Sequence, residues 1–485
     1  MYNPKLKFIL GIIILLISII TRFLQPEGGI TLDEADYSIA ARQGVIANYL
    51  DKNDTRTLRH WHGPLTTYTI IASTKILGQS ESAVRLPNRI IGSLTPLILF
   101  IMAIYAFQNG VLIGAISGFI LALMPISVQV SNVANMHTLA TLFIVFSFYF
   151  LLLFIKKQKS WFLGILGITI GLLFTTLEYA FIITGIAFLV LLLYPTPYFE
   201  ISITKIRVKS HTILAVFLIL ITILMIWGAG IFKLHIFKNL LFYIRYSKHG
   251  HPILFDGKLL HHLPQWAYLV WYWKLAPVFL ILSIGSLFFL LYSLIKTRKA
   301  EFGVLSIFVL VLLITLLKQH IMSARYSVHI VPFLCLTIAI LLTQIITTLK
   351  KVGYMITICL ITLVTITNIP HIYSKTPGDP GYKEVANYLR NHATENVNLL
   401  SWYPGIIKFY LPEFKNIESY NSGGATSELM SLLESRYFDY IITYHNQVRR
   451  WPDDQGILYI KKYYLLEKTY YWQEEPVLWL YKKPD

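Results

Sequence analysis

Residues 1–370 are built from long apolar stretches separated by short polar connections. About eleven such blocks of roughly 17 to 24 residues, each nearly free of charge, have the length a helix needs to cross a bilayer. They run Phe8 to Leu24, Leu86 to Phe107, Val111 to Val130, His137 to Ile155, Trp161 to Thr176, Tyr179 to Tyr194, Thr212 to Ile231, Pro277 to Ile295, Phe302 to Leu317, Val328 to Leu349 and Val352 to Ile369. Two connections are too long for turns. Gln25 to Arg85 carries two amphipathic stretches, Asp33 to Leu50 and Pro64 to Leu77, of the kind that lie along a membrane surface. Phe232 to Ala276 is rich in Trp, Tyr, His and Lys, a composition suited to the headgroup layer. From His371 onward the pattern changes: a helix-like run, Tyr382 to His392, alternates with β-like runs at Val397 to Ser401, Asp439 to Tyr444 and Val477 to Lys482. The expected fold is an α-helical polytopic membrane protein with about eleven transmembrane helices and a small C-terminal α/β domain. The transmembrane body takes residues 1–370, with external loops 25–85 and 232–276, and the extracytoplasmic domain takes residues 371–485.

Composition narrows the class. The chain is 55% hydrophobic and only 14% charged, which excludes a soluble enzyme, a collagen and a disordered chain. Lys and Arg outnumber Asp and Glu by 42 to 25, a net charge of +17. These cations sit in loops between apolar blocks, a placement that argues against nucleic acid as partner and for the lipid bilayer. With a cytoplasmic N-terminus, every second connection is cytoplasmic. Those connections hold Lys156, Lys157 and Lys159, then Lys205, Arg207 and Lys209, then Lys296, Arg298 and Lys299, then Lys350 and Lys351, as the positive-inside rule requires. An odd number of spans leaves the C-terminal segment outside. The first block follows Lys5 and Lys7 but ends in Thr21-Arg22-Phe23 without a small-x-small cleavage pattern, so it reads as an uncleaved anchor. Cys335 and Cys359 both lie within apolar blocks, and no disulfide framework follows from them.

Candidate chemistry collects on the outer side. Just past the first span, Leu32-Asp33-Glu34-Ala35-Asp36-Tyr37 places three carboxylates in four positions at the edge of an apolar body. Two readings stand side by side. Thr31-Leu32-Asp33-Glu34 is a capping-box pattern, and the same acids are candidates for catalysis. The same side gathers His60 and His62, Asn132, Asn135 and His137, Glu178, His251, Lys274, and Arg325-Tyr326. The histidines lack a third acid or Cys at ligand spacing and read singly as interfacial side chains. Lys274 and Arg325 read singly as snorkelling cations. Glu178, between Leu177 and Tyr179, is a carboxylate in or beside the bilayer and needs pairing, solvation or neutralisation.

The ordered set of short motifs resembles the dolichyl-phosphate-mannose protein mannosyltransferase family and its bacterial and archaeal relatives, membrane glycosyltransferases of the GT-C fold. The motifs are Asp33-Glu34 with Tyr37, His62-Gly63-Pro64-Leu65, Leu77-Gly78, Ser82-Ala83-Val84-Arg85-Leu86-Pro87, Gly250-His251-Pro252, Gly257, the aromatic run to Trp273, Lys274-Leu275-Ala276-Pro277, and Arg325-Tyr326 with Pro332. The likeness extends over roughly Phe8 to Leu349 and leaves the C-terminal domain unsupported. Relatives often carry an acid or Arg before the fourth span. Here that loop reads Ser131-Asn132-Val133-Ala134-Asn135-Met136-His137, which puts a second carboxylate from it in doubt. A Trp-Trp-Asp-Tyr-Gly motif is absent, unlike in oligosaccharyltransferases, and there is no room for the lumenal insertion of eukaryotic mannosyltransferases. This small size points to a prokaryotic plasma membrane.

The resemblance implies transfer of a sugar from a polyprenyl-phosphate-linked donor to an acceptor hydroxyl on a protein, glycan or lipid. In it Asp33 acts as base and Glu34 orients it or shares the role. Lys274, Arg325 and His251 would hold the donor phosphate, and Tyr37, His62, Asn135, His137, Glu178 and Tyr326 would line the pocket. A single activating carboxylate implies inversion at the anomeric carbon. A divalent metal ion bridging Glu34, Glu178 or a nearby His to the phosphate is compatible with this chemistry, although spacing across distant loops fixes no ligand set. Two alternatives remain: a polytopic lipid or solute transporter or flippase, and an inactive GT-C-like binding subunit. Charges at helix ends, rather than at mid-span breaks in paired halves, weigh against transport.

Overall fold

A computed structural model describes residues 4–25, 29–43, 64–194, 199–202, 205–208, 210–227, 253–255, 258–260, 263–318, 323–373, 378–420, 425–450, 453–472 and 474–484. The chain divides into two compact units. One comprises residues 1–25, 45–73 and 85–375, and the other residues 26–44, 74–84 and 376–485. The C-terminal domain is therefore not the contiguous segment 371–485 that hydropathy predicts, because two pieces of the first external loop belong to its compact unit.

Among the described residues the chain runs through α1 (Pro4–Phe23), α2 (Leu32–Gln43), α3 (Leu65–Leu77), α4 (Glu81–Ala106), α5 (Gly110–Ala122), α6 (Pro125–Ser131), α7 (Met136–Lys157), α8 (Ser160–Phe174) and α9 (Tyr179–Leu193). A hairpin of β1 (Phe199–Ser202) and β2 (Lys205–Val208) precedes α10 (Ser210–Trp227), and a second, β3 (Ile253–Phe255) with β4 (Lys258–Leu260), precedes α11 (Ala267–Leu275). Then come α12 (Pro277–Thr297), α13 (Ala300–Lys318), a 3₁₀ turn at Ala324–His329, α14 (Val331–Leu349) and α15 (Lys351–Tyr373). Among the described residues, each predicted apolar block falls on one helix, except Val111 to Val130, which falls on two. Seven of these helices are long and apolar enough to cross a bilayer unaided, and α8, α9 and the α10 segment are shorter apolar helices. This is an integral membrane protein.

The block Val111 to Val130, expected as one span, is broken into α5 and α6 at an angle of 61°. Pro125 has no N–H to donate, and Met124 before it is extended (φ −79°, ψ 116°). Carbonyls freed by such a break need donors at bilayer depth. The Ala122 carbonyl accepts from the Thr21 hydroxyl at 3.2 Å and from Arg22 Nη1 at 3.3 Å, and the Leu123 carbonyl accepts from Asn368 Nδ2 at 3.2 Å. Arg22 is fully buried and also donates to Ser18 Oγ at 2.9 Å and Ser127 Oγ at 3.1 Å. Leu123, Val128 and Ile372 pack together beside the break.

Basic residues gather at one end of this bundle. Lys156 donates to the Ala106 carbonyl at the end of α4 (2.7 Å) and faces Glu301 at 3.8 Å, and Lys299 donates to Gln108 at 3.0 Å. Cations at helix C-termini complement the dipole there. Asn132, Asn135, His137 and Glu178 lie at the opposite end, where α7 and α9 begin.

In the second unit, α16 (Tyr382–His392), β5 (Leu399–Ser401), α17 (Pro404–Tyr410), β6 (Ile417–Ser419), α18 (Ser427–Glu434), β7 (Tyr440–Tyr444), α19 (His445–Arg450), α20 (Gln455–Tyr463), β8 (Leu465–Trp472) and β9 (Glu475–Lys482) follow one another. The five strands are ordered β6-β5-β7-β9-β8, with β6, β5 and β7 parallel and β9 antiparallel to both β7 and β8. Leu399, Leu400, Ile441, Ile442, Leu478 and Leu480 are buried in the sheet, as are Val385 and Leu389 of α16 and Ile457 and Ile460 of α20. The predicted helix and three strand runs all form. Pro404-Gly405 opens α17, and α17 packs on α2.

Candidate active site

The acidic motif forms the first turn of α2, with Thr31 as its cap. Glu34 N–H donates to Thr31 Oγ1 at 3.2 Å, and Thr31 N–H donates to Glu34 Oε2 at 2.8 Å. This reciprocal pair is the capping box read from the sequence, and such a cap is worth about 1 kcal/mol. The Glu34 carboxylate is fully buried in that role, whereas Asp33, one residue earlier, stays partly exposed. Tyr37, one turn further, is buried. The helix lies close on α17: a Cβ on Gly405 would stand 2.9 Å from Asp36 Oδ1. At its other end Arg42 donates to the carbonyls of Lys408 (3.2 Å) and Phe409 (2.9 Å), which end α17, and lies 5.4 Å over the Phe409 ring.

The strap 29–32 leading into α2 is held by residues that sequence reasoning missed. Asp379 N–H donates to the Ile30 carbonyl (3.3 Å), and its Oδ2 accepts from Leu32 N–H at 3.3 Å. Asp379 Oδ1 accepts from the Tyr444 hydroxyl at 3.2 Å. Ile30 N–H donates to the Tyr410 hydroxyl (3.0 Å), which in turn donates to Glu81 Oε1 (2.9 Å), and Lys383 pairs with the same oxygen at 3.0 Å. Gly29 sits at φ +89° with its missing Cβ pointing 3.2 Å from the Asp379 carbonyl, so both its conformation and its space favour glycine.

Burial, together with the negative charges of Asp33 and Glu34, pushes the Asp379 carboxyl up to about 7, against the opposing bonds from Tyr444 and Leu32. A carboxyl whose proton is held more tightly in the folded chain stabilises fully below the unfolded value, about pH 4, and that contribution is lost as pH rises through about 7. Thermal melts of wild type and Asp379→Asn from about pH 4 to pH 8 should therefore diverge, with wild type losing stability relative to the variant across that window. A constant difference contradicts this.

In the other unit, the loop before α7 is tied down by amide groups. Asn88 Nδ2 donates to the carbonyls of Val133 (2.6 Å) and Asn135 (2.8 Å), and Arg89 Nε donates to Asn132 Oδ1 at 3.0 Å. Asn135 caps α7 by accepting from His137 N–H at 2.9 Å, and its own Nδ2 donates to the Val130 carbonyl at 2.9 Å. The predicted pocket residue Asn135 is thus buried and committed to the loop. His137 Nδ1 lies 3.1 Å from Nε2 of His329, whose Nδ1 is 3.0 Å from Thr141 Oγ1. Tyr326 meets the His137 ring edge-on at 5.1 Å, and the Tyr179 ring lies tilted at 4.5 Å from His329. His137 and Tyr326 come together in this cluster. His329 escaped the sequence reading, although the polar Arg325-Tyr326-Ser327-Val328-His329 run ahead of an apolar block carried its signal. Glu178 stands at the start of α9, next to Tyr179 of this cluster, and is partly exposed.

A small recess of about 10 Å³ opens beside the α5–α6 break, lined by Met124 at the break, Ile126 of α6, Trp271, Tyr272 and Leu275 of α11, and Ala324 and Ser327 of the 3₁₀ turn. Tyr272 hydroxyl donates to Ser327 Oγ at 2.9 Å on its wall. Burial raises the Tyr272 and Tyr268 phenols, which keeps both protonated. Lys274, exposed, and Arg325, partly exposed and 5.6 Å over the Tyr326 ring, each adjoin a lining residue in sequence. His62 and His251 lie outside the described residues. Among the described residues no three His, Cys, Asp or Glu side chains form a metal-holding group.

Residues 61–227 match the dolichyl-phosphate-mannose-protein mannosyltransferase family. No curated protein matches the sequence. Among solved structures, the archaeal oligosaccharyltransferase AglB from Archaeoglobus fulgidus, in complex with an inhibitory peptide and a dolichol-phosphate, superposes with a TM-score of 0.63 at 14% identity, covering 95% of this chain and 72% of AglB. ArnT from Cupriavidus metallidurans bound to undecaprenyl phosphate superposes with a TM-score of 0.57 at 11% identity, covering 99% of this chain and 98% of ArnT. The chain has the GT-C fold. The arabinofuranosyltransferase AftD from Mycobacteria shares it, with a TM-score of 0.53 at 12% identity, covering all of this chain (100%) and 40% of AftD. Likeness to the oligosaccharyltransferase is one of GT-C fold, since the Trp-Trp-Asp-Tyr-Gly motif is missing here. The GT-C superpositions extend through the C-terminal domain, which sequence motifs alone left unsupported.

Proposed function

We propose that this protein is a glycosyltransferase that moves a sugar from a polyprenyl-phosphate donor to an acceptor hydroxyl, with inversion. The observation that carries this is the GT-C fold with an apolar recess whose lining residues Leu275 and Ala324 adjoin the cations Lys274 and Arg325 in sequence. A prenyl phosphate has the matching chemistry, an apolar tail and an anionic head. AglB and ArnT, which share the fold, were solved with dolichol-phosphate and undecaprenyl phosphate.

The proposed step balances as follows. The acceptor oxygen bonds to the anomeric carbon while the bond from that carbon to the phosphate oxygen breaks. The bonding pair leaves on the polyprenyl phosphate, and the acceptor proton passes to the Asp33 carboxylate. A phosphodiester is already a fair leaving group and asks for positive charge, which Lys274 and Arg325 supply. Glu34 holds the first turn of α2 in place. Asp33 works at an extracytoplasmic face, in a plasma membrane with a cytoplasmic N-terminus.

Purified protein in liposomes with radiolabelled polyprenyl-phosphate sugar should release polyprenyl phosphate as sugar appears on an acceptor. Lys274→Gln and Arg325→Gln should each raise the donor KM about tenfold, the scale of a charge-assisted contact of roughly 1.5 kcal/mol. Movement of intact donor across the bilayer without its consumption would establish a flippase instead, and an unconsumed, unmoved donor a binding subunit.

A further inference from the structure

Resting on the proposed transfer with Asp33 as base, we propose that Asp379 is a positioning residue: it clasps the strap 29–32 and thereby fixes where the Asp33 carboxylate points. Four observations within one compact unit converge on it. Its carboxylate accepts the N–H of Leu32, the first residue of α2 and the immediate neighbour of Asp33. Its backbone N–H holds the Ile30 carbonyl two residues earlier, so one residue grips the strap at two points. Its second carboxylate oxygen is fixed by the Tyr444 hydroxyl at the end of β7, which ties the grip to the central sheet. Its carbonyl would stand only 3.2 Å from a Cβ on Gly29, whose φ of +89° also favours glycine, so the strap runs close against it.

The cap formed by Thr31 and Glu34 sets the helical start but not its orientation, because both partners belong to the same turn. Orientation has to come from outside the turn, and Asp379 contributes it from 347 residues away in sequence. A carboxylate is an unusual choice beside Asp33 and Glu34, whose charges oppose it. Protonated or ionised, its Oδ2 accepts a backbone N–H that helix geometry leaves without an intrahelical partner.

The test uses full-length protein in liposomes and compares Asp379→Ala, Asp379→Asn and Tyr444→Phe with wild type. Asp379→Ala should lower kcat by about tenfold to 10²-fold with donor KM unchanged, the scale of a misplaced catalytic group. Asp379→Asn, whose amide oxygen still accepts from Leu32 N–H, should restore most of kcat, and Tyr444→Phe should fall between. Hydrogen exchange of the peptide covering residues 29–36 should quicken in Asp379→Ala while exchange in the helices of the membrane body stays as in wild type. Wild-type kcat in Asp379→Ala overturns the clasp, as does an Asn variant no better than Ala. Should Asp379→Ala fail to fold, the Asn and Phe variants and their exchange rates carry the same decision. Failure of the base assignment reads out separately: Asp33→Asn then retains transfer, while the exchange difference at residues 29–36 persists.

Discussion

Asp33→Asn protein, inserted and folded as wild type, is expected to transfer sugar about 10³-fold more slowly at unchanged donor KM, within the range for loss of a positioned general base. The acceptor hydroxyl is a poor nucleophile, and an amide cannot take its proton. Thr31 and Glu34 cap the turn with each other, Asp379 holds Leu32, and neither arrangement uses the Asp33 side chain. Helix α2 should therefore survive the change, and the loss should appear in kcat. Glu34→Gln separates the two acids. Its amide oxygen can still accept from Thr31 N–H, so it should keep much of the activity that Asp33→Asn loses. Full transfer by Asp33→Asn would remove this residue from the mechanism.

Gly92→Ala is expected to destabilise the membrane body. A Cβ at Gly92 would stand 2.4 Å from Ser131 Cβ, 2.9 Å from Ser131 Oγ and 3.0 Å from Arg22 Nε. None of these neighbours can yield easily. Ser131 ends α6 with its hydroxyl bonded to the Val128 carbonyl at 2.9 Å, and Arg22 is buried and held by Ser18, Ser127 and the Ala122 carbonyl. Overpacking of this kind costs about 1–3 kcal/mol, and Gly92→Val should cost more. The strain falls on the broken span and on Asn132, the next residue, which accepts from Arg89. Thermal melting in detergent should drop, and transfer activity of the surviving protein should drop with it. A Gly92→Val protein that melts with wild type would show that α4 and α6 are not in contact here.

The local patterns were legible. Apolar blocks became helices because burial in lipid rewards length and lack of charge, which a single stretch of sequence states in full. The helix Tyr382–His392 and the strand runs before Ser401, Tyr444 and Lys482 were visible for the same reason, as each carries its own period. Thr31 to Glu34 announced a capping box, and the structure forms it. The kink at Pro125 was available in the sequence but was overridden by the unbroken hydropathy of Val111 to Val130.

Sequence by itself determined the membrane class, the order of helices, the change of character at the C-terminus and the acid-bearing turn, since propensity, hydropathy and capping act over a few residues. Only the tertiary structure decided which distant groups meet. It put His137 against His329 across 192 positions, closed the α5–α6 break with Arg22 and Asn368, and gave the acidic helix to the unit of the C-terminal sheet through Asp379, Tyr410 and Gly405. Those pairings depend on how helices and strands pack once formed, and nothing in the spacing of residues along a chain encodes a hydrogen bond between loops hundreds of residues apart.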